Sequence, residues 1–214
     1  MACKAFWSVL VSTTAALAAT VAIATADPVK IVGLGDSLMA GYQLDPGQSF
    51  PEKLEAALKA RGHDVVIVNA GVSGDTTAGG LSRLDWSVPD DTDLVILELG
   101  ANDMLRGIAP QVTEDNLTAM IERLDERDID VVLAGMVAAP NLGADYAAQF
   151  NPIFPKLAAR YDVPLYPFFL EGVAAERALL LDDGMHPNAA GVNRMVENFL
   201  PLIEEVLADG PGGM

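Results

Sequence analysis

The sequence predicts a three-layer α/β/α protein built around a five-stranded parallel sheet. Five short apolar runs, several of them continuous and rich in β-branched residues, alternate with longer amphipathic segments. Continuous apolar runs are typical of parallel strands that are buried on both faces. A helix-length segment follows each run, as in repeated β-α units that place helices on both sides of the sheet. We therefore expect a doubly wound, flavodoxin-like fold.

The strands are predicted, in chain order, at residues 29–34, 65–68, 94–99, 131–134 and 163–166. The helices are predicted at residues 50–60, 77–84, 113–127, 144–160 and 189–207. Pro152 and Pro155 fall inside the fourth helix, and proline both lacks an N–H and clashes with the preceding turn. We expect that helix to be kinked or split.

The first 26 residues differ from the rest of the chain. Lys4 is their only charged residue, residues 5–24 form an apolar run, and Ala24-Thr25-Ala26 precedes Asp27. This order is typical of a secretory signal peptide with an A-x-A cleavage site, and it predicts a periplasmic or secreted protein. The alternative is an uncleaved membrane anchor, since the run approaches the length that spans a bilayer.

The composition of the chain is that of an acidic globular protein. Its 214 residues are 51% apolar and 20% charged, which predicts one domain with a substantial core. We assign that domain to residues 27–208 and expect the Gly/Pro-rich residues 209–214 to be a flexible tail. Cleavage after residue 26 removes one positive charge and changes the formal net charge from −17 to −18. Such a charge argues against electrostatic binding to nucleic acid or anionic lipid.

Metal and thiol chemistry are not indicated by the sequence. The single cysteine, Cys3, lies within the predicted signal peptide, so the mature chain has no disulfide and no thiol nucleophile. The two histidines, His63 and His186, are too few and too far apart to indicate a metal site. His63 follows a helix end and is interpreted as a surface residue. We expect no cofactor.

Four polar motifs lie in glycine-containing turns. They are Gly35-Asp36-Ser37-Leu38, Asn69-Ala70-Gly71, Gly100-Ala101-Asn102-Asp103 and Asp183-Gly184-Met185-His186-Pro187. The first three follow predicted strands one to three, and the fourth precedes the last helix. In an open α/β sheet, ligands bind outside the carboxyl ends of the strands. The spacing therefore predicts that the motifs meet in one site.

The residue types in these motifs are those of a serine hydrolase. A serine hydroxyl needs a neutral imidazole to take its proton and a carboxylate to orient that imidazole. Ser37, His186 and Asp183 can fill these roles. The tetrahedral oxyanion needs prepositioned donors, and the Gly71 N–H and the Asn102 amide are suitable types.

Structural explanations compete with this interpretation. Ser37 could be a helix cap, and Met39 occupies the position of the second glycine in the Gly-x-Ser-x-Gly elbow of α/β-hydrolases. Asp36 is interpreted as a turn residue whose carboxylate binds nearby backbone N–H groups. Asp182 competes with Asp183 as the carboxylate that orients the imidazole.

The four motifs match, in order, the signature blocks of the SGNH (GDSL) hydrolase family, and the sequence is identified as a member of it. The resemblance covers nearly the whole chain after residue 26. Within the family, the sequence most resembles the branch of bacterial periplasmic acyl-thioesterases, lysophospholipases and arylesterases. This likeness is carried by residues 38–42 (LMAGY), 72–76 (VSGDT) and 161–165 (YDVPL). Ala101 departs from the pattern, because that branch usually has a second glycine there.

The resemblance implies an SGNH-hydrolase fold and a serine esterase without a cofactor. Acyl esters, including aryl, short- and medium-chain esters, thioesters and lysophospholipids, would be cleaved through an acyl-enzyme intermediate. Ser37 is then the nucleophile, His186 the general base and Asp183 its orienting partner. The oxyanion donors implied are the Ser37 N–H, the Gly71 N–H and the Asn102 side chain.

The resemblance also implies a shallow substrate groove formed by loops at residues 74–80, 104–109 and 135–146. Ester pockets are mostly hydrophobic, so apolar residues in these segments and motifs are candidate contacts of the acyl chain. The candidates are Leu38, Met39, Met104, Leu105, Leu142, Tyr146 and Met185.

Three alternative functions stay open at this stage. A carbohydrate O-deacetylase could use the same scaffold, although the Ala/Leu/Met-rich loops offer few polar groups for a sugar. A metallophosphoesterase is suggested by Asp36, Asn102 and His186 but lacks the further ligands of a two-metal site. A non-catalytic binding domain could keep the fold. Chain-length preference and oligomeric state do not follow from the sequence.

Overall fold

The computed structural model of the protein describes Met1 and residues 27–210. The predicted signal peptide, apart from Met1, and residues 211–214 of the predicted tail lie outside these residues. Within them, no helix combines the length and the apolar character needed to cross a membrane.

The central sheet has five parallel strands, as predicted. These are β1 (Val29–Gly35), β2 (Val65–Gly71), β3 (Leu94–Glu98), β4 (Asp130–Ala134) and β5 (Leu165–Tyr166). Their spatial order is β2-β1-β3-β4-β5, which is the order of a flavodoxin-like sheet, with its topological switch beside β1. Strand β1 is paired with β2 on one side and with β3 on the other. The turns that follow these three strands therefore lie side by side.

Eight α-helices complete the fold. They are α1 (Ser37–Ala40), α2 (Phe50–Ala60), α3 (Thr77–Ser87), α4 (Ala101–Leu105), α5 (Pro110–Asp125), α6 (Ala144–Phe150), α7 (Ile153–Tyr161) and α8 (Ala189–Asp209), and they are all those among the described residues. Helix α2 packs against α8, whereas α3, α5 and α7 pack in a row. The layers enclose a core in which the ring of Phe50 contacts those of Phe169 and Phe199 edge to face, at centroid distances of 4.7 and 5.4 Å.

The structure confirms the predicted split of one helix and differs from the sequence prediction at one strand and two short helices. The helix predicted at residues 144–160 is divided into α6 and α7 at Asn151-Pro152, as the prolines indicated. Strand β5 has two residues rather than four, because Pro164 has no N–H for the ladder. Helices α1 and α4 were not predicted, since five residues or fewer are too short to show a helical period.

Candidate active site

Ser37 stands at the carboxyl end of β1, where the strand turns into α1. Asp36 is the N-cap of this helix, and its Oδ1 accepts a hydrogen bond from the Leu38 N–H over 3.0 Å. This contact confirms the interpretation of Asp36 as a turn residue. Ser37 is the first residue of the helix, and an N–H at that position has no acceptor within its own helix.

The structure brings Ser37, His186 and Asp183 together. The Ser37 hydroxyl donates to His186 Nε2 over 2.8 Å. On the other side of the ring, His186 Nδ1 donates to Asp183 Oδ2 over 2.7 Å. An ionised carboxylate can only accept, so the ring proton of His186 lies on Nδ1 and Nε2 is free to accept from the serine. A hydroxyl, an imidazole and a carboxylate thus form one continuous chain of hydrogen bonds across 149 residues of sequence.

The turn before α8 shapes the Asp183 carboxylate for this contact. Asp183 Oδ1 accepts from the backbone N–H groups of Met185 and His186, over 2.9 and 3.0 Å. Together with the hydrogen bond from the imidazole, these two N–H groups lower the pKa of Asp183 to about 2. The carboxylate is therefore ionised at neutral pH. The competing residue, Asp182, contributes its backbone carbonyl to the Arg177 guanidinium instead.

Asn102 approaches the site from the second position of α4. Its Nδ2 donates to Asp36 Oδ2 over 2.9 Å, and because an amide nitrogen has two hydrogens, one remains available. The neighbouring Asp103 is fully buried and accepts from the Thr77 N–H over 2.8 Å and from its hydroxyl over 2.5 Å. These bonds fix α4 against the start of α3.

Gly71 is the last residue of β2 and Gly74 lies in the turn that follows, and the two glycines have different environments. A Cβ on Gly71 would lie 2.3 Å from the Ala40 backbone nitrogen, so close packing against α1 requires glycine there. The Gly71 N–H donates to Asn69 Oδ1 over 2.9 Å and is thus already occupied. Gly74 has a φ of +85°, which favours glycine. Its N–H has no acceptor among residues 27–210.

An apolar cavity of about 710 Å³ opens beside Ser37 and His186. Of the predicted acyl-chain contacts, Leu38, Met104, Leu105 and Met185 line it. The others do not. Met39 is fully buried in the core, Leu142 packs against the core, and the Tyr146 hydroxyl donates to the Ile108 carbonyl over 3.0 Å. These three candidates lie outside the cavity lining, because spacing in the sequence does not reveal which way a side chain faces.

Sequence reasoning missed two parts of the site. Part of the cavity wall comes from the segment after β5, through Phe168, Leu170, Ala174, Ala175 and Leu180, whereas the predicted 74–80 loop does not line the cavity. Tyr42 packs its ring on the His186 imidazole, with a centroid distance of 4.5 Å. The apolar run Pro167-Phe168-Phe169-Leu170 was the available signal for the wall, but it has no motif chemistry.

A second buried carboxylate lies under the nucleophile turn. Asp36 and Glu98, at the end of β3, are both fully buried. Glu98 Oε2 accepts from the Asp36 N–H over 3.2 Å, and its Oε1 has no hydrogen-bond partner in the described structure. Burial raises the pKa of Asp36 to about 6, against the opposing effect of the Leu38 N–H. Burial, and then the nearby Asp36, raise the pKa of Glu98 well above its usual range.

The fold and the site together define a hydrolase of the α/β/α class with a serine, histidine and aspartate at the carboxyl edge of its sheet. Residues 34–194 match the model of the GDSL-like lipase/acylhydrolase family. The chain belongs to this family, which confirms the resemblance drawn from the four motifs. Ester hydrolysis by this chain, predicted from the same motifs, is confirmed at the level of the enzyme class.

Two curated relatives and one solved structure illustrate the similarity. An arylesterase of Vibrio mimicus is 45% identical over 159 residues, which are 74% of this chain and 80% of the relative. The thioesterase 1/protease 1/lysophospholipase L1 of Escherichia coli is 39% identical over 166 residues, 77% of each chain. The crystal structure of AlinE4, an SGNH-hydrolase family esterase, superposes with a TM-score of 0.72 at 46% identity, covering 86% of this chain and 99% of AlinE4.

Proposed function

We propose that the protein hydrolyses acyl esters through an acyl-enzyme intermediate on Ser37. The observation that carries this proposal is the unbroken chain of hydrogen bonds from Ser37 through His186 to Asp183. Ser37 and His186 also line an apolar cavity. A serine hydroxyl becomes a nucleophile when a positioned base accepts its proton. The cavity supplies space for the acyl group beside that nucleophile.

In the acylation step, Ser37 Oγ attacks the ester carbonyl carbon while His186 Nε2 takes the hydroxyl proton. The imidazole becomes positively charged, and the ionised Asp183 carboxylate stabilises this charge and holds the ring in place. His186 then gives the proton to the leaving oxygen or sulfur as the bond to the acyl carbon breaks. In deacylation, water is the nucleophile, and the same imidazole accepts and returns its proton.

The tetrahedral intermediate carries a negative charge on the former carbonyl oxygen. We assign its stabilisation to the Ser37 N–H, to the second N–H of the Asn102 amide and to an N–H from the turn after β2. The Gly71 N–H is engaged by Asn69, whereas the Gly74 N–H is unoccupied. Arg106 also donates to the Gly74 carbonyl over 2.6 Å and so holds this turn beside α4, the helix that carries Asn102. The proposal therefore places the third donor at Gly74 in place of Gly71.

Thioesters and lysophospholipids are proposed as substrates alongside aryl and short- to medium-chain esters. The chemistry is the same for an oxygen or a sulfur leaving group. The name of the E. coli relative includes both thioesterase and lysophospholipase. We further propose that residues 1–26 are a cleaved signal peptide and that the enzyme acts in the periplasm or outside the cell. The leader's composition supports this proposal.

One experiment tests the proposed mechanism directly. A fluorophosphonate probe should label Ser37 and no other serine, and hydrolysis of p-nitrophenyl butyrate should show a burst of p-nitrophenol as the acyl-enzyme forms. A panel of p-nitrophenyl esters of increasing chain length, run beside acyl-CoA and a lysophospholipid, identifies the preferred substrate. Labelling of a different residue, or activity retained by Ser37→Ala, would overturn the proposal.

A further inference from the structure

Arg83 is a buried cation, and apart from a hydrogen bond to Ser87 of its own helix, its contacts lie at the carboxyl edge of the sheet. It belongs to α3 and is only 6% exposed. Its guanidinium donates to three acceptors at the carboxyl edge of the sheet. These are the Gly35 carbonyl over 2.9 Å, the Ala70 carbonyl over 2.7 Å and Asp75 Oδ2 over 2.6 Å.

Each acceptor belongs to a segment that carries part of the proposed chemistry. Gly35 is the last residue of β1, two positions before Ser37. Ala70 is at the end of β2, and Asp75 directly follows Gly74. The Gly35 carbonyl also accepts from the Val72 N–H over 3.0 Å. One planar group thus ties the nucleophile turn to the turn that provides an oxyanion donor.

Stability alone is a weak explanation for this arrangement. A buried ion pair such as Arg83–Asp75 loses the hydration of both charges, and this loss can exceed the electrostatic gain. An apolar side chain would fill the same space. What a guanidinium offers in addition is a rigid set of five donors with fixed directions, which a lysine cannot reproduce.

We infer that Arg83 is a positioning residue for ester hydrolysis. It fixes the separation of the Ser37 turn and the Gly74 turn, and so sets the spacing of the oxyanion donors. This inference rests on the proposed function. Displacing a prepositioned group by about 1 Å can reduce turnover about 100-fold, so small shifts of these turns should affect the transition state more than substrate binding.

The test replaces Arg83 with methionine and, separately, with lysine. Methionine has a similar volume but no hydrogen-bond donors, whereas lysine keeps the positive charge but lacks the planar arrangement of donors of a guanidinium. Both variants should lower kcat, counted per fluorophosphonate-titrated serine, by about tenfold or more, with KM changed less than about threefold. Titration of the serine excludes unfolded protein from the count. If Arg83→Met does not fold, Arg83→Lys carries the test.

Arg127 provides a matched control at the opposite edge of the sheet. It likewise donates to a backbone carbonyl, that of Val88 over 2.6 Å, and to a carboxylate, Asp90 Oδ1 over 2.8 Å. Arg127→Met should lower the melting temperature without changing kcat per titrated serine. The inference is overturned if Arg83→Lys and Arg83→Met keep wild-type kcat, or if Arg127→Met loses as much. Absence of fluorophosphonate labelling at Ser37 in the wild type would instead count against the proposed function itself.

Discussion

Asp36 Oδ2 accepts a hydrogen bond from Asn102 Nδ2 over 2.9 Å, which links the residue before the nucleophile to the amide at the start of α4. The other carboxylate oxygen of Asp36 is occupied by the Leu38 N–H. Since the carboxylate can only accept, it fixes the Asn102 amide with its nitrogen toward Asp36. The remaining N–H of Asn102 is thereby held in one direction.

The first prediction concerns this contact. Asp36→Asn replaces one acceptor oxygen by an NH₂ group, so the Leu38 N–H and the Asn102 amide can no longer both be satisfied. We expect kcat to fall about 10- to 100-fold with little change in KM, because Asn102 loses its fixed orientation. Steady-state kinetics with p-nitrophenyl butyrate measure this effect.

A double-mutant cycle separates positioning from a direct role of Asp36. Asn102→Ala removes the donor itself and should lower kcat about 10²- to 10³-fold. If Asp36 acts through Asn102, the double mutant should be no slower than Asn102→Ala alone. If the double mutant instead shows the product of the two single-mutant losses in kcat, Asp36 acts independently of Asn102.

The second prediction concerns the Ser37–His186–Asp183 chain of hydrogen bonds. Ser37→Ala and His186→Ala should each abolish nearly all turnover, and the double mutant should be hardly slower than either single mutant, because the two groups act as a unit. Turnover is measured with a sensitive p-nitrophenyl ester assay on protein purified from a strain without background esterase. A Ser37→Ala variant that kept a tenth of wild-type turnover would exclude the mechanism.

The third prediction concerns the pH dependence of kcat/KM. Protonated His186 cannot accept the Ser37 proton, so activity should fall on the acid side of neutrality and stay high on the alkaline side. Asp183 has a pKa of about 2 and therefore stays ionised throughout the acid limb. Asp36, whose pKa is raised to about 6, is also protonated on the acid side of neutrality, which weakens the contact that orients Asn102, so the acid limb should be steeper than that of a single proton. His63 lies away from the site, with its Nε2 3.4 Å from Glu204 Oε1, and His63→Gln should leave the profile unchanged. An activity maximum near pH 5 would contradict the assignment of His186 as base.

The fourth prediction concerns Glu98 and protein stability. Its pKa is raised in the folded protein, so between the unfolded and folded pKa values the native state holds a proton that the unfolded chain has lost. The free energy of unfolding therefore falls as the pH rises through this window. Glu98→Gln cannot ionise, so its melting temperature relative to wild type should increase as the pH rises above the ordinary titration range of a glutamate carboxyl.

Thermal denaturation at several pH values measures this difference. Glu205→Gln is a suitable control, because Glu205 is exposed on α8, and it should show no comparable trend. A Glu98→Gln melting temperature that kept a constant offset from wild type at every pH would show that Glu98 does not hold the proton.

The fifth prediction concerns the cavity wall after β5. Ala174 lines the cavity, and Ala174→Phe should occupy space that a longer acyl chain needs. We expect kcat/KM for p-nitrophenyl decanoate to fall by about tenfold relative to that for p-nitrophenyl acetate, since each methylene contributes about 1 to 3 kcal/mol. Ala178→Phe adds the same group in the same segment but outside the cavity lining, and it should leave the ratio unchanged. Equal losses for both esters would place the acyl chain elsewhere.

The sequence by itself determined the sheet and the identity of the four motifs. Continuous apolar runs such as residues 94–97 (LVIL) are typical of a buried strand. Parallel strands place their carboxyl ends, which carry Ser37 and Asn102, at one edge of the sheet. Within the motifs, the spacing of Asp183 and His186 is local, so their contact depends on a single turn. These features are encoded over a few residues and can be read without knowing the rest of the fold.

Only the tertiary structure decided which groups are free and which are used. The Gly71 N–H is engaged by the side chain of Asn69, a local contact that asparagine allows but does not require, whereas the Gly74 N–H has no acceptor in the described residues. The burial of Arg83 and its hydrogen bonds to the ends of β1 and β2 likewise depend on how α3 packs against the sheet. Leu142 faces the core while Ala174 faces the cavity. Burial and side-chain direction arise from contacts between segments far apart in the chain, and such contacts are fixed only when the layers pack together.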